Sequence, residues 1–157
     1  MNRILPAALA TLALLAAPAA AMGPPDREGP GWFLPVGASL GMSLTDGDVG
    51  VTLGGELSAV HLFGTAWLGL WADGLWDFGA ERARTSAGLE AGWFVFGAEA
   101  GWVAEVRPAG GLDHGVRVGA LLSGGVLTGY LRWAHLVREE RPDVVEIGVL
   151  LKWPLPL

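Results

Sequence analysis

The chain has 157 residues, of which 52% are hydrophobic, and its 16 acidic residues outnumber 10 Lys and Arg, giving a formal net charge of −6. This acidic balance argues against nucleic acid as a partner. Because there is no cysteine, disulfides, a lipid-modified cysteine and thiolate metal sites are excluded.

The N-terminus has the three parts of a secretory signal peptide. Residues 1–3 supply a positive start, the apolar run ILPAALATLALLA follows, and small residues precede a cleavage site expected after Ala21. The alternative, a membrane-anchoring helix, is disfavoured because the run is short and contains Pro6. We therefore predict a signal peptide over 1–21, a disordered leader over 22–31, and export to a bacterial envelope.

The stretch WFLPVGASLGMSL, residues 32–44, alternates large apolar residues with mostly small ones. A period of two predicts a strand with one oily face. Asp46-Gly47 then follows, and Asp-Gly between alternating segments is a strong hairpin signal. Folding the chain about this turn pairs Leu44 with Val49, so the oily faces of the first two strands coincide.

The same alternation, which places the large apolar side chains on one common face, continues through six more strands. Tight turns are expected at Gly64-Thr65, at Phe94-Val95 and at Gly124-Gly125, and they alternate with loops GAERA (79–83), RPAGGLDHG (107–115) and REERPD (138–143). An alternative for LTGYLRWAHLVREERP (127–142) is an amphipathic helix. The even strand number and consistent facing favour strands.

The second face decides what the oily face meets. It consists largely of Gly and Ser with single charges, including Gly37, Gly50, Gly88 and Gly101. Such a face suits a narrow interior rather than water, whereas a soluble monomer could not expose so large an oily surface. We therefore predict that residues 32–157 form an all-β, eight-stranded antiparallel up-and-down transmembrane β-barrel, with a soluble barrel as the alternative.

Large aromatic residues on the oily face cluster at strand ends. Two such belts at the membrane interfaces are typical of a membrane barrel, although core aromatics are the alternative explanation. The predicted aromatic girdle consists of Trp32, Phe63, Trp76, Phe78, Trp93, Phe96 and Trp153.

Charged residues of the strands occupy the same alternate positions as the small residues, so their side chains are expected to point into the barrel. We call these positions the inner parity of a strand. Buried charges persist only when they are paired or hydrated, and Trp67, Trp71 and Tyr130 add bulk on the same face. An eight-stranded barrel has space for side chains but hardly for a channel, so we predict a plugged polar core, with an ion or proton path as the alternative. The predicted lumen charge network consists of Glu56, Asp73, Arg84, Glu90, Glu99, Glu105, Arg117, Arg132, Glu146 and Lys152.

The register of strands four and five follows from residue numbers. A two-residue turn at Phe94-Val95 places Arg84 opposite Glu105, a predicted salt bridge that Arg117 and Glu146 could extend, and Glu90 opposite Glu99. Two adjacent carboxylates cannot comfortably ionise together. We expect Arg132 or Lys152 to join them, with a shared proton as the alternative.

The pattern of the mature chain resembles the small outer-membrane β-barrels of Gram-negative bacteria, such as the transmembrane domain of OmpA and the OmpX group. The last strand, VVEIGVLLKW, is similar to the assembly signal of that class, which normally closes the chain on an aromatic residue; here Trp153 is followed by PLPL. The resemblance implies insertion from the periplasm with both termini periplasmic. Its partners would be outer-membrane lipid and lipopolysaccharide and the assembly machinery, and we expect a monomer.

No constellation for catalysis or metal binding is evident in the sequence. His61, His114 and His135 are isolated; we place His114 in a solvated loop and the other two on the outer face near strand ends. Some barrels of this class modify lipid A, but here no serine is expected beside an outward histidine. We predict a non-enzymatic barrel without a cofactor or metal, serving envelope integrity or surface recognition. The alternatives are a permeation or small-ligand barrel, a lipid-modifying enzyme and a soluble ligand-binding barrel.

Overall fold

A computed structural model describes residues 31–106, 110–137 and 143–156. Eight antiparallel strands pair in chain order and close into a barrel as β1 meets β8, which confirms the predicted fold class. No helix among the described residues is long and apolar enough to cross a membrane. The strands are β1 (Trp32–Thr45), β2 (Asp48–Phe63), β3 (Ala66–Asp77), β4 (Arg82–Trp93), β5 (Phe96–Val106), β6 (Leu112–Gly124), β7 (Leu127–Leu136) and β8 (Val144–Pro156).

The connections define two ends of the barrel. At the turn end lie the β2–β3, β4–β5 and β6–β7 turns together with the start of β1 and the end of β8; the other connections lie at the loop end. The first hairpin is confirmed: Asp46 and Gly47 have φ of 54° and 88°, as a type I′ turn requires, and Leu44 pairs with Val49. The turn at Phe94-Val95 is also confirmed, since Trp93 pairs with Phe96.

The turn between β6 and β7 lies one residue later than Gly124-Gly125. Gly124 pairs with Leu127, so Gly125 and Val126 occupy the turn. Of these two, Gly125 has a positive φ of 78°, and glycine at the first central position is what a type II′ turn favours. Because Gly124 and Gly125 are adjacent, the sequence did not show which of them begins the turn. A turn one residue later changes the β7 partner of each β6 residue by two positions.

The loop-end connections are shorter than the sequence suggested. Strand β4 already begins at Arg82 and β6 at Leu112, so His114 lies on a strand and not in a loop. The helical alternative for 127–142 is wrong for its first ten residues, which form β7. The predictions for 1–21 and 22–30, and parts of the second and third loops, fall outside the described residues.

The seam between the first and last strands contains two opposed prolines. Pro35 pairs with Pro154, and β8 stays paired with β1 as far as Pro156. The ladder from β8 to β7 has by then ended, at Leu151, and the Lys152 N–H donates to Val126 O at 2.7 Å. Because N–H groups alternate sides along a strand, the Pro154 nitrogen also faces away from β1, past the end of β7. The tail after Trp153 therefore continues the sheet without needing that donor.

The barrel wall separates an oily exterior from a polar interior. Outward residues along every strand are exposed, for example Leu53, Leu70 and Leu89 at 51%, 61% and 59%. Ala104, which shares the outward parity, is an exception at 4%. The apolar exterior is the surface that a transmembrane barrel presents to lipid.

Candidate functional site

All ten residues of the lumen charge network lie on the inner face. Their side chains are 3% exposed or less, except for Lys152 at 12%. They fall into two groups: a loop-end cluster of Arg84, Glu105 and Glu146, and a central cluster of the other seven.

The loop-end cluster is built around Arg84. Its guanidinium contacts Glu105 at 3.1 Å, Glu146 and, at 3.9 Å, Asp77. Arg82 contacts the other Glu105 oxygen at 3.1 Å. The predicted Arg84–Glu105 salt bridge is therefore confirmed, and Glu146 extends it as expected. Sequence reasoning omitted Asp77 and Arg82, although both share the inner parity of their strands, which was a signal that could have identified them.

The central cluster joins four carboxylates through two arginines and Lys152. Arg132 contacts Glu56 at 2.6 Å, Glu99 at 2.8 Å and Asp73 at 3.4 Å. Arg117 contacts Asp73 at 2.7 Å and Glu99 at 3.3 Å. Arg117 was expected to extend the loop-end cluster, which is wrong: its ion pairs lie in the centre.

Aromatic rings stack under both arginines. The Arg117 guanidinium carbon lies 4.1 Å from the centre of the Trp71 ring, and that of Arg132 lies 4.1 Å from Tyr130. Such cation–π contacts are strengthened where water is excluded. Space for Tyr130 comes from Gly41 and Gly148, because a Cβ at either would lie 2.5 Å from its hydroxyl oxygen. The rings and cations together fill the middle of the barrel.

Glu90 and Glu99 are directly opposed on β4 and β5, as the predicted register requires. Each has its own cation: Arg132 contacts Glu99 at 2.8 Å, and Lys152 Nζ lies 3.3 Å from Glu90. Lys152 also contacts Glu56 and lies 3.1 Å from Ser58 Oγ. Both candidate cations therefore take part, but among the described residues no single cation contacts both opposed carboxylates, so the expectation that one cation joins them is wrong. The shared proton stays an alternative.

Lys152→Met should destabilise the barrel, because Glu56 loses one of two cations and Glu90 loses the one it contacts. The loss should be greater at pH 8 than at pH 5, since protonation at low pH removes the charge that the lysine balanced. Urea titration of the refolded variant at both pH values measures this difference. An equal loss at both would mean that the ammonium contributes packing and not charge.

The outer face carries the predicted girdle and histidines. All seven girdle residues are exposed, from 38% for Trp76 to 67% for Trp153. His61 lies between Trp32 and Phe63, with ring centres 4.8 and 4.3 Å away.

At the loop end, a second outward histidine has an acidic partner. His135 Nδ1 lies 2.8 Å from an Asp143 oxygen, and this hydrogen bond, followed by one from Trp133, lowers the pKa of Asp143. Ser123 lies beside the β6–β7 turn, at the opposite end of the barrel from His135. Among the described residues, no group of three potential ligands could hold a metal ion.

A closed eight-stranded antiparallel barrel with an oily exterior and a charged interior defines the fold class of small transmembrane β-barrels. Among solved structures, the chain is similar to the crystal structure of Neisserial surface protein A (NspA), with a TM-score of 0.50 and 12% sequence identity over 78% of this chain and 97% of that chain. At this identity the likeness concerns the fold. No family model matches the sequence, and neither does a curated protein.

Proposed function

We propose that this protein is a non-enzymatic β-barrel of the bacterial outer membrane, with a plugged interior and a role in envelope integrity or limited surface recognition. The observation that carries the proposal is a set of ion pairs between strands that are not neighbours. Arg132 on β7 contacts Glu56 on β2, Arg117 on β6 contacts Asp73 on β3, and Arg84 on β4 contacts Glu146 on β8. These pairs cross the lumen, where a channel would have to run.

Location in the outer membrane is supported by three features together: the oily exterior, the aromatic residues at both ends, and the signal-like N-terminus. Lipid and lipopolysaccharide would then contact the exterior, and the assembly machinery would insert the chain. Short loop-end connections, such as 78–81 between β3 and β4, leave little surface for a large partner. A role in stabilising the envelope therefore fits better than adhesion.

Fractionation of expressing cells tests the location. The protein should appear in the outer membrane and migrate faster on a gel when unheated than when boiled, because a closed barrel resists detergent unfolding. Recovery from the soluble periplasmic fraction would favour the soluble-barrel alternative. Mass spectrometry of the N-terminus of the same material would test cleavage after Ala21.

Planar-bilayer recording tests the plug. We expect no stable open channel, because charges, Trp71 and Tyr130 occupy the lumen. The matched variant is Trp71→Ala/Arg117→Ala, which removes one stacked pair from the centre and should increase the leak. A reproducible unitary conductance of the unaltered protein would contradict the plug and favour the permeation alternative.

A further inference from the structure

A cavity of about 150 Å³ lies inside the barrel at its turn end. Its apolar wall is formed by the inward side chains of Val60, Leu62, Trp67 and Leu121. The exposed turn residue Gly125 also borders it, so the cavity is reached from that end of the barrel. A cavity of this size and lining accommodates a single six-membered ring.

The polar part of this cavity is formed by Glu90 and Lys152, with the hydroxyl groups of Ser123 and Thr128 nearby. Glu90 is 2% exposed, and its Oε1 atom has no hydrogen-bond partner. Its other oxygen is the one facing Lys152, at 3.3 Å. A buried carboxylate oxygen without a partner is costly, and this one belongs to a residue that borders the cavity.

The charges of the central cluster do not balance. Within the described residues, its ion pairs connect four carboxylates with three cations. One negative charge is left over, and away from water such a charge requires a counter-ion or a proton. Glu90 is the carboxylate of this cluster with a single cationic partner, so we assign the unbalanced negative charge to Glu90, which lies on the wall of the cavity. The carboxylates are Glu56, Asp73, Glu90 and Glu99; the cations are Arg117, Arg132 and Lys152.

We propose that the turn-end cavity binds a small organic ammonium ion. Its ammonium group donates to Glu90 Oε1, and its apolar body packs against Val60, Leu121 and the Trp67 ring. This occupant supplies the missing positive charge and the missing hydrogen-bond donor together. An anion would be repelled by Glu90, and Lys152 is already engaged by two carboxylates. A bare divalent cation would lack the six or more oxygen ligands it needs against largely apolar walls.

Benzylammonium is the probe, and neutral benzyl alcohol of nearly the same shape is its control. The refolded, isotope-labelled barrel in zwitterionic micelles is titrated with each, and amide shifts of Gly125 and Thr128 are followed by NMR. We expect saturable shifts with benzylammonium and at least tenfold weaker binding of benzyl alcohol. Equal affinity for the two probes, or no saturable shift with benzylammonium, would overturn the proposal.

Two variants assign the binding to this carboxylate. Glu90→Gln should weaken benzylammonium binding at least tenfold. The control is Glu146→Gln, which changes a buried carboxylate of the loop-end cluster and should leave the binding unchanged. Val60→Phe keeps Glu90 but fills the cavity, and should abolish binding. Unchanged binding in Glu90→Gln would overturn the proposal, and if that variant does not fold, unchanged binding in Val60→Phe would do so. These outcomes do not depend on which membrane holds the barrel.

Discussion

Arg132→Met should lower the free energy of unfolding by roughly 3–5 kcal/mol, as expected when one partner of a buried ion pair is removed. Arg132 contacts Glu56, Glu99 and Asp73, and its guanidinium stacks on Tyr130. Methionine has a similar length but no charge, so three carboxylates would lose a shared cation while remaining buried. The effect should exceed that of Lys152→Met, because Lys152 lies at the more exposed mouth.

Denaturant titration of the refolded barrel measures this loss, and two further variants separate charge from shape. Arg132→Lys keeps the charge but cannot reach several carboxylates with one planar fork, so it should recover only part of the stability. Arg132→Met/Glu99→Gln should be more stable than Arg132→Met alone, because one uncompensated charge has been removed. If the double variant is less stable than the single one, the arginine acts mainly through packing on Tyr130.

Leu70→Arg should destabilise the barrel in a lipid bilayer by roughly 2–4 kcal/mol, the cost of a cationic side chain on the lipid face near the membrane centre. Leu70 points outward midway along β3 and is 61% exposed. The matched control is Val49→Arg, which lies on the same outer face but beside the Asp46-Gly47 hairpin. Near an interface the same change should cost only about 0–1 kcal/mol.

Both arginine variants are refolded into bilayers of one thickness and titrated with denaturant. The difference between them, rather than either value alone, reports the depth of each position. Equal costs at Leu70 and Val49 would mean that the oily exterior does not span a bilayer, and a soluble assembly that covers this face would then have to be considered.

The sequence predicted the barrel well where local turn chemistry fixes the register. Asp46-Gly47 fixed the first hairpin, and a two-residue turn at Phe94-Val95 placed Glu90 opposite Glu99. A slip of one residue would turn a charge such as Glu90 toward lipid, so the charges themselves constrain the pairing. Strand number, strand facing and the pairing across the Asp46-Gly47 and Phe94-Val95 turns could therefore be predicted, whereas the pairing of β6 with β7 was two residues off.

Contacts across the lumen could not be predicted from the sequence. Which carboxylate Arg117 meets depends on the stagger of the closed barrel, since β6 and β3 are not hydrogen-bonded neighbours. The start of β6 was also missed: the predicted loop extends to Gly115, whereas pairing with β5 begins at Leu112. The cavity beside Glu90 arises from the size of inward side chains on several strands, which alternation alone does not reveal.

The opposed prolines at the seam between β1 and β8 affect whether two barrels can associate by pairing their strand edges. Beyond Leu151, no strand of the described residues lies beside the edge of β8 that faces away from β1, and such an edge can recruit a strand from another molecule. Pro154 places a ring where an inter-chain hydrogen bond would need an N–H. The end of the last strand thus remains available to its own first strand while offering a poor template to a second copy of the chain.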